Sequence, residues 1–409
     1  MGPTDFVSAL YGAILGSGPP SMASYTTLEW PGLPVDPQTC GNIWATDNQT
    51  GSPEALEAFS GLVDDDVPAL SPVYQPAGIS LEQVYALILQ ATVPAGPVAI
   101  AFAAAQSTFR QIVRGSLENS MASFHPSTPN PRTWCDAAGA GGWTSMTIGT
   151  GAAAPPPPPP ATLTPVLTRP AILSWRVSSV PASALHLAAR PPIQETTRSG
   201  ASAAAVASAR VAATSVASLA ASRSAISGLR PVAAPVARPT PATLAAAAGR
   251  LKAMPIMRAP LPVAKVVTQP AVQEQPVAAT QVSASFRYMR VGIQRPWLDS
   301  SLFHLPGWSI DGLPAGCISN GQAANNPGML PLLPLSFIAV KDVTINGSWS
   351  DADKKTASTA LASDSVASFG PFTLHGGAGG GSFDGSSLKI PGIQVIAWIC
   401  QVTPKLPPA

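Results

Sequence analysis

Phe286-Arg287-Tyr288-Met289-Arg290-Val291-Gly292-Ile293 alternates large apolar residues with polar or small ones. In an extended chain this puts Phe286, Tyr288 and Arg290 on one face and Arg287, Met289 and Val291 on the other. Three further strands are predicted downstream, over Phe337 to Ile345, Phe369 to His375 and Ile393 to Val402. Upstream, Trp143-Thr144-Ser145-Met146-Thr147-Ile148 also alternates, but it needs partners that only the later part of the chain supplies in number. Residues 25–150 and 281–409 are therefore read as two halves of one α+β domain, rejoined in space across the stretch between them.

That intervening stretch, residues 151–280, is a low-complexity, basic insertion or linker. It holds 35 Ala and 20 Pro in 130 positions, with Trp175 its only aromatic residue out of 25 in the chain. A large apolar core needs large side chains, each worth about 1.5–3 kcal/mol when buried, and few are present. The composition predicts a largely disordered Ala/Pro/Arg-rich insertion. Within it, Pro155 to Pro160 reads as a polyproline II spacer. Ser199 to Leu229 and Thr243 to Met254 read as partial helices without a broad apolar stripe.

Charge divides the chain in the same way. The 409 residues carry a net charge of +2, yet residues 1–150 hold 12 acids and 3 bases, residues 151–280 hold 2 acids and 12 bases, and residues 281–409 hold 7 acids and 8 bases. The near neutrality is a cancellation of −9 and +10. Pro, 46 of 409, and the 11% of charged residues exclude a charge-rich disordered chain and a coiled coil, and 34 Gly without a Gly-X-Y period exclude a collagen.

The first flank is read as follows. Residues 1–24 form a flexible N-terminal segment: Asp5 comes early, Gly18-Pro19-Pro20 breaks the apolar run, and no secretory signal peptide is seen. Tyr25 to Pro76 reads as extended segments and turns. Ser80-Leu81-Glu82-Gln83 fits a capping box that opens a helix over about 81–93, and a second helix over about 97–121 follows Pro94-Ala95-Gly96-Pro97. The pair, 81–121, is a helical hairpin. Residues 83–109 carry no charge, but two Pro, a Gly, Gln90 and Gln106 interrupt the run, which favours a buried hairpin over a membrane span.

Catalytic templates fail. There is no G-x-S-x-G elbow, no Gly-Lys pair of a phosphate loop, no H-E-x-x-H and no strict G-x-G-x-x-G, and no cofactor is implied. His375-Gly376-Gly377 resembles an oxyanion loop but lacks the nucleophile that would use it, and reads as a Gly-rich turn. Asp64-Asp65-Asp66 is read as a solvated acidic run. Asp351 and Asp353 have Lys354 and Lys355 as counter-charges, so neither group is a metal site. The four His residues, 125, 186, 304 and 375, are dispersed, and Cys40, Cys135, Cys317 and Cys400 have no metal-binding spacing and read as buried thiols. Asn48-Gln49-Thr50 and Asn346-Gly347-Ser348 are glycosylation sequons without a signal peptide to support them.

The densest unusual cluster is Arg295, Trp297, Asp299, His304 and Trp308. Trp and Arg are enriched at binding hot spots, so these five are the candidate ligand- or partner-binding residues. The competing reading is a core corner in which Arg295 and Asp299 pair and the tryptophans anchor a strand end.

The expected function is a non-enzymatic structural or interaction protein. Its partner is a copy of itself or another protein, with self-association through the acidic first flank and the basic insertion. Two alternatives are a membrane-active protein inserting the 81–121 hairpin or the Gly-rich 375–385 loop, and a hydrolase built from dispersed residues such as Asp299, His304 and His375. Nucleic acid is disfavoured, because the insertion's bases are spread out without aromatics to stack on bases.

Overall fold

The structure is a computed structural model that describes residues 3–15, 24–35, 53–71, 73–118, 126–135, 142–149, 174–181, 272–277, 279–362, 365–374 and 380–408. Its helices are α1 (Pro3–Leu15), α2 (Pro53–Asp64), α3 (Leu81–Ala91), α4 (Val98–Glu118) and α5 (Asp351–Ala362). Strands of the first half are β1 (Ser24–Val35), β2 (Thr92–Pro94), β3 (Thr128–Asn130), β4 (Thr144–Ile148) and β5 (Ser174–Pro181). Next come β6 (Val272–Pro276), β7 (Thr280–Gln294), β8 (Trp308–Ile310), β9 (Ser319–Asn320) and β10 (Leu332–Ser348). The last are β11 (Ser365–Phe369), β12 (Phe372–Leu374), β13 (Ser382–Phe383), β14 (Ser387–Ile390), β15 (Ile393–Val402) and β16 (Lys405–Leu406). The protein is α+β, as its sequence patterning predicts.

An eight-stranded antiparallel sheet is organised around β10, which pairs with β7 along one edge and with β15 and then β14 along the other. β1 adds beyond β15, and β3 and β4 add beyond β7. The pairing of β4 with β7, Met146 opposite Phe286, joins the two flanks of the chain. β14 and β15 follow one line along β10, with Val343 opposite Ile390 and Val340 opposite Gln394. Pro391-Gly392 interrupts that line where β10 itself bulges: Asp342 takes φ 54°, and the register with β7 slips between Lys341 and Thr344. A bulge on both sides at one level bends the sheet there and increases its twist.

The alternation in β7 works as expected. Phe286 and Tyr288 pack on one side, and Met289 and Val291 on the other. β15 is buried over Ile393–Cys400, so both faces of the sheet are covered. One face is covered by α1 and by a second, four-stranded sheet in the order β12-β11-β5-β6, with Phe286 against Phe372 at 6.0 Å. The other carries α2 and the short 3-10 turn Arg132–Cys135, whose Trp134 lies 5.0 Å from Phe337. A third cluster lies beneath the α3–α4 hairpin.

The two sheets are tied by polar groups as well as by rings. The buried Gln394 side chain accepts from the Thr373 amide at 2.8 Å and donates to the Thr373 carbonyl at 2.6 Å, doing for β12 what a neighbouring strand would. Gly32 donates its amide to the Pro371 carbonyl at 2.8 Å, and a Cβ at this position would meet that oxygen at 2.3 Å. Only glycine permits so close an approach.

Several expectations are corrected. Residues 3–15, read as part of a flexible segment, form α1, and Phe6, Leu10, Tyr11 and Ile14 are buried at helical spacing. Pro3 opens the helix, at a position where a missing amide costs nothing. The stretch from Tyr25 to Pro76 contains α2, which likewise opens on a proline. Within the low-complexity stretch 151–280 the structure describes two strands, β5 and β6, and Val277 and Ala279 are buried. Phe369 to His375 is not one strand but the β11–β12 turn, since Gly370, at φ 58°, reverses the chain before Pro371. Asp351 does have a lysine counter-charge as expected, Lys354 at 3.6 Å, and both carboxylates belong to α5, where Asp353 accepts from the Ser350 hydroxyl at 2.7 Å.

The hairpin follows its predicted pattern. Ser80 caps α3 by accepting from the Gln83 amide at 3.1 Å while Gln83 reaches back to the Ser80 amide, and Gln106 of α4 donates to the Leu89 carbonyl. α3 ends at Ala91, and Thr92–Pro94 pair with Trp308–Ile310. The polyproline run, the partial helices 199–229 and 243–254, residues 375–379 of the Gly-rich loop, His125, His186, Cys40 and the first sequon lie outside the described residues.

Candidate functional site

The five candidate residues follow β7 as it leaves the sheet. Arg295 is the first residue after that strand, and the turn after it carries Trp297 into the interior, where 1% of it is exposed. Arg295 does not pair with Asp299. Its Nε donates to Asp64 Oδ1 at 2.6 Å, at the C-terminal end of α2, and its Nη2 donates to the Val63 carbonyl at 3.1 Å. Nη1 donates to the Pro334 carbonyl on β10 at 2.5 Å. One guanidinium thus holds a helix end and the central strand together, using the fork geometry that lysine lacks.

The network continues through Ser127, which lies just before β3. Its hydroxyl donates to Asp64 Oδ2 at 2.6 Å and accepts from Trp297 Nε1 at 3.2 Å, while its amide donates to Ser60 Oγ at 2.9 Å. Asp64 is therefore buried, not part of a solvated run, and both of its oxygens are engaged. Burial pushes its carboxyl above the ordinary value; the Arg295 charge and the Ser127 hydroxyl pull it back down.

Asp299 does different work. Its carboxylate accepts from the Ser301 amide at 3.0 Å and the Ser301 hydroxyl at 2.6 Å, capping the short 3-10 turn Ser300–His304. Its own amide donates to the Tyr85 hydroxyl at 3.0 Å. Tyr85 stands between the Trp297 and Phe303 rings, at 5.8 Å and 6.3 Å, and burial pushes its phenol up to about 12. His304 ends the turn on the exposed side. Trp308, on β8, packs on Phe102 of α4 at 5.4 Å.

The structure thus brings Trp297 and Trp308 into the cluster beneath the hairpin, turns Arg295 toward α2, and leaves His304 at the surface. Asp64, Ser127, Ser60 and Tyr85 complete the arrangement, and sequence reasoning missed them as partners. Asp64 and Arg295 are 231 residues apart, and no local pattern marks a pairing at that separation. Chemically, the corner is a closed set of donors and acceptors: each proton of the Asp64–Ser127–Trp297 chain already has an acceptor.

Two further buried charges escaped the sequence reading. Glu29 on β1 accepts from Trp398 Nε1 at 2.5 Å, and Lys341 on β10 places Nζ 4.5 Å from the centre of the Trp143 ring. Among the described residues Cys135, Cys317 and Cys400 are free thiols, and burial raises the pKa of Cys317 and Cys400. No group of three or more His, Cys, Asp or Glu side chains among the described residues is placed to hold a metal ion. A shallow depression of about 250 Å³ on the outer face of α4 is lined by Ala103, Ser107, Arg110 and Gln111. Compared with known proteins, the chain matches no family model, no curated protein and no solved structure.

Proposed function

We propose that this chain is a non-enzymatic interaction protein that self-associates, the basic stretch between β5 and β6 of one copy meeting the acidic first flank of another. The supporting observation is the antiparallel pairing of β5 with β6, Ser178 opposite Val272. It places β5 and β6, the strands that precede and follow residues 182–271, next to each other in the second sheet. That stretch carries ten bases, one acid and no Phe, Trp or Tyr, so its chemistry toward a partner is charge. Residues 1–150, with 12 acids and 3 bases, supply the complement. Among the described side chains, two of those acids, Glu29 and Asp64, are buried, and Asp65, Asp66 and Glu82 are partly exposed.

An association of this kind weakens as salt screens exposed charges, over a Debye length of about 8 Å at physiological ionic strength. Light scattering at low and high salt tests it, on the full chain and on a variant in which residues 182–271 are replaced by a short turn. The expected result is assembly of the full chain at low salt, dissociation at high salt, and a monomer for the shortened variant throughout. A full chain that is monomeric at both salt concentrations overturns the proposal.

A further inference from the structure

β4 is an edge strand without the features that close the other edges. Its inner side pairs with β7, from Thr144 opposite Tyr288 to Ile148 opposite Ala284. Among the described residues β7 is its only partner strand, and no other backbone hydrogen bond reaches it. The donors and acceptors on its outer side are a template for one more strand.

Elsewhere the edges are guarded. β1 carries Pro31 and Pro34, and the Tyr74 amide donates to its Leu28 carbonyl. β3 has three residues, one of them Pro129, and β13 has two. The outer backbone of β12 is taken by Gln394, and β6 holds Glu274 and Pro276. Trp143 to Ile148, by contrast, has no Pro and no charge, and its register with β7 runs without a bulge.

The residues of β4 also say which strand fits. Paired antiparallel with its own copy about a two-fold axis at Met146, Met146 meets Met146, Ser145 meets Thr147 and Thr144 meets Ile148. A charge at the axis would meet its own like; here hydroxyl meets hydroxyl, and Met and β-branched side chains meet one another. The faces agree as well. Ile148, and Met146 beside it, lie on the side covered by α1 and the second sheet, while Ser145 and Thr147 are exposed on the opposite side. Paired residues share a face, so the apolar layer of one copy continues into that of the other.

We propose that β4 pairs with β4 of a second copy, antiparallel about a two-fold axis at Met146, and joins the main sheets of the two copies into one. The pairing rests on the self-association proposed above. Five residues a side are too short a ladder to hold two copies alone, so charge attraction brings the copies together and β4 fixes how they meet.

The test is light scattering of the full chain at low salt, with the variants S145E/T147E and S145E/T147K. Both positions are exposed and Ser145 lies opposite Arg287, so thermal unfolding of the variants is expected to match the wild type. S145E/T147E sets acid against acid twice across the axis, and self-association about tenfold weaker is expected. Added acids strengthen attraction to the basic stretch, so this loss has the opposite sign to any effect on that contact. S145E/T147K sets acid against base twice and is expected to restore assembly. Equal assembly of wild type and S145E/T147E overturns the pairing and leaves the charge-driven association standing. A loss that S145E/T147K does not reverse also overturns it, because β4 then meets a different strand. A wild type that is monomeric at low salt overturns both.

Discussion

The corner around Arg295 and the tip of the α3–α4 hairpin present opposite chemistry. The corner gathers residue types that suggest function: Arg, Asp, Ser, two Trp and a Tyr. Its hydrogen bonds run inward, from Arg295 to Asp64, Val63 and Pro334, and from Trp297 through Ser127 to Asp64. The tip is made of Val, Pro, Ala, Gly and Ile, residue types that suggest nothing, yet its side chains are the ones left exposed. Residue type and exposure therefore rank the two regions in opposite orders. What separates them is whether the protein itself already supplies each group with a partner.

The largest effect that would break this comparison lies in the corner. Arg295→Met leaves Asp64 buried without its counter-charge and removes the bonds to Val63 and Pro334, so a loss of about 3–5 kcal/mol in urea unfolding is expected. Asp64→Leu added to Arg295→Met removes the stranded charge, and the double variant is expected to be more stable than Arg295→Met alone. If it is not, the carbonyl bonds of Arg295, rather than the ion pair, hold α2 to β10.

The Tyr85 phenol gives the next effect through pH. Its pKa rises from 10 to about 12 on folding, chiefly through burial, so the folded state holds its proton where the unfolded state has lost it. The contribution is complete below pH 10 and is lost as pH rises through 12, at up to about 1.4 kcal/mol per pH unit. Tyr85→Phe is expected to flatten the fall in unfolding free energy between pH 10 and 12 by one proton's worth, as followed by circular dichroism. An unchanged slope would mean that the phenol is solvated and the corner open.

The same contrast explains what could be read from the chain. β7, β10 and β15 are long and strongly patterned, and the capping box of α3 is local, so each is visible without a structure. The pairing of β4 with β7 follows because a lone strand needs partners. α1 was within reach, since Phe6, Leu10 and Ile14 repeat every four residues, but Gly18-Pro19-Pro20 draws the eye to a break just beyond it. Pro53 and the Ser350-x-x-Asp353 pattern are helix-start signals that read equally well as a loop and as a pair of ligands. The Asp64–Arg295 contact, by contrast, has no local signature. Burial of a carboxylate depends on which remote cation reaches it, and that is a property of the assembled layers.

Two smaller effects sharpen the comparison at the hairpin itself. Ser80→Ala removes the acceptor for the Gln83 amide and half of the capping box, for an expected loss of about 1 kcal/mol in denaturant unfolding. Ile100→Asp is the opposite case. At 75% exposure the side chain has little packing to lose, and in water the aspartate keeps its hydration, so the unfolding free energy is expected to stay within about 0.5 kcal/mol of wild type. Position 100 lies in the first turn of α4, where an acidic side chain meets the positive end of the helix dipole, which offsets the lower helix propensity of Asp. A loss of several kcal/mol would show that Ile100 is covered in the protein as it exists in solution. It would then belong with the corner, among side chains whose partner is already present.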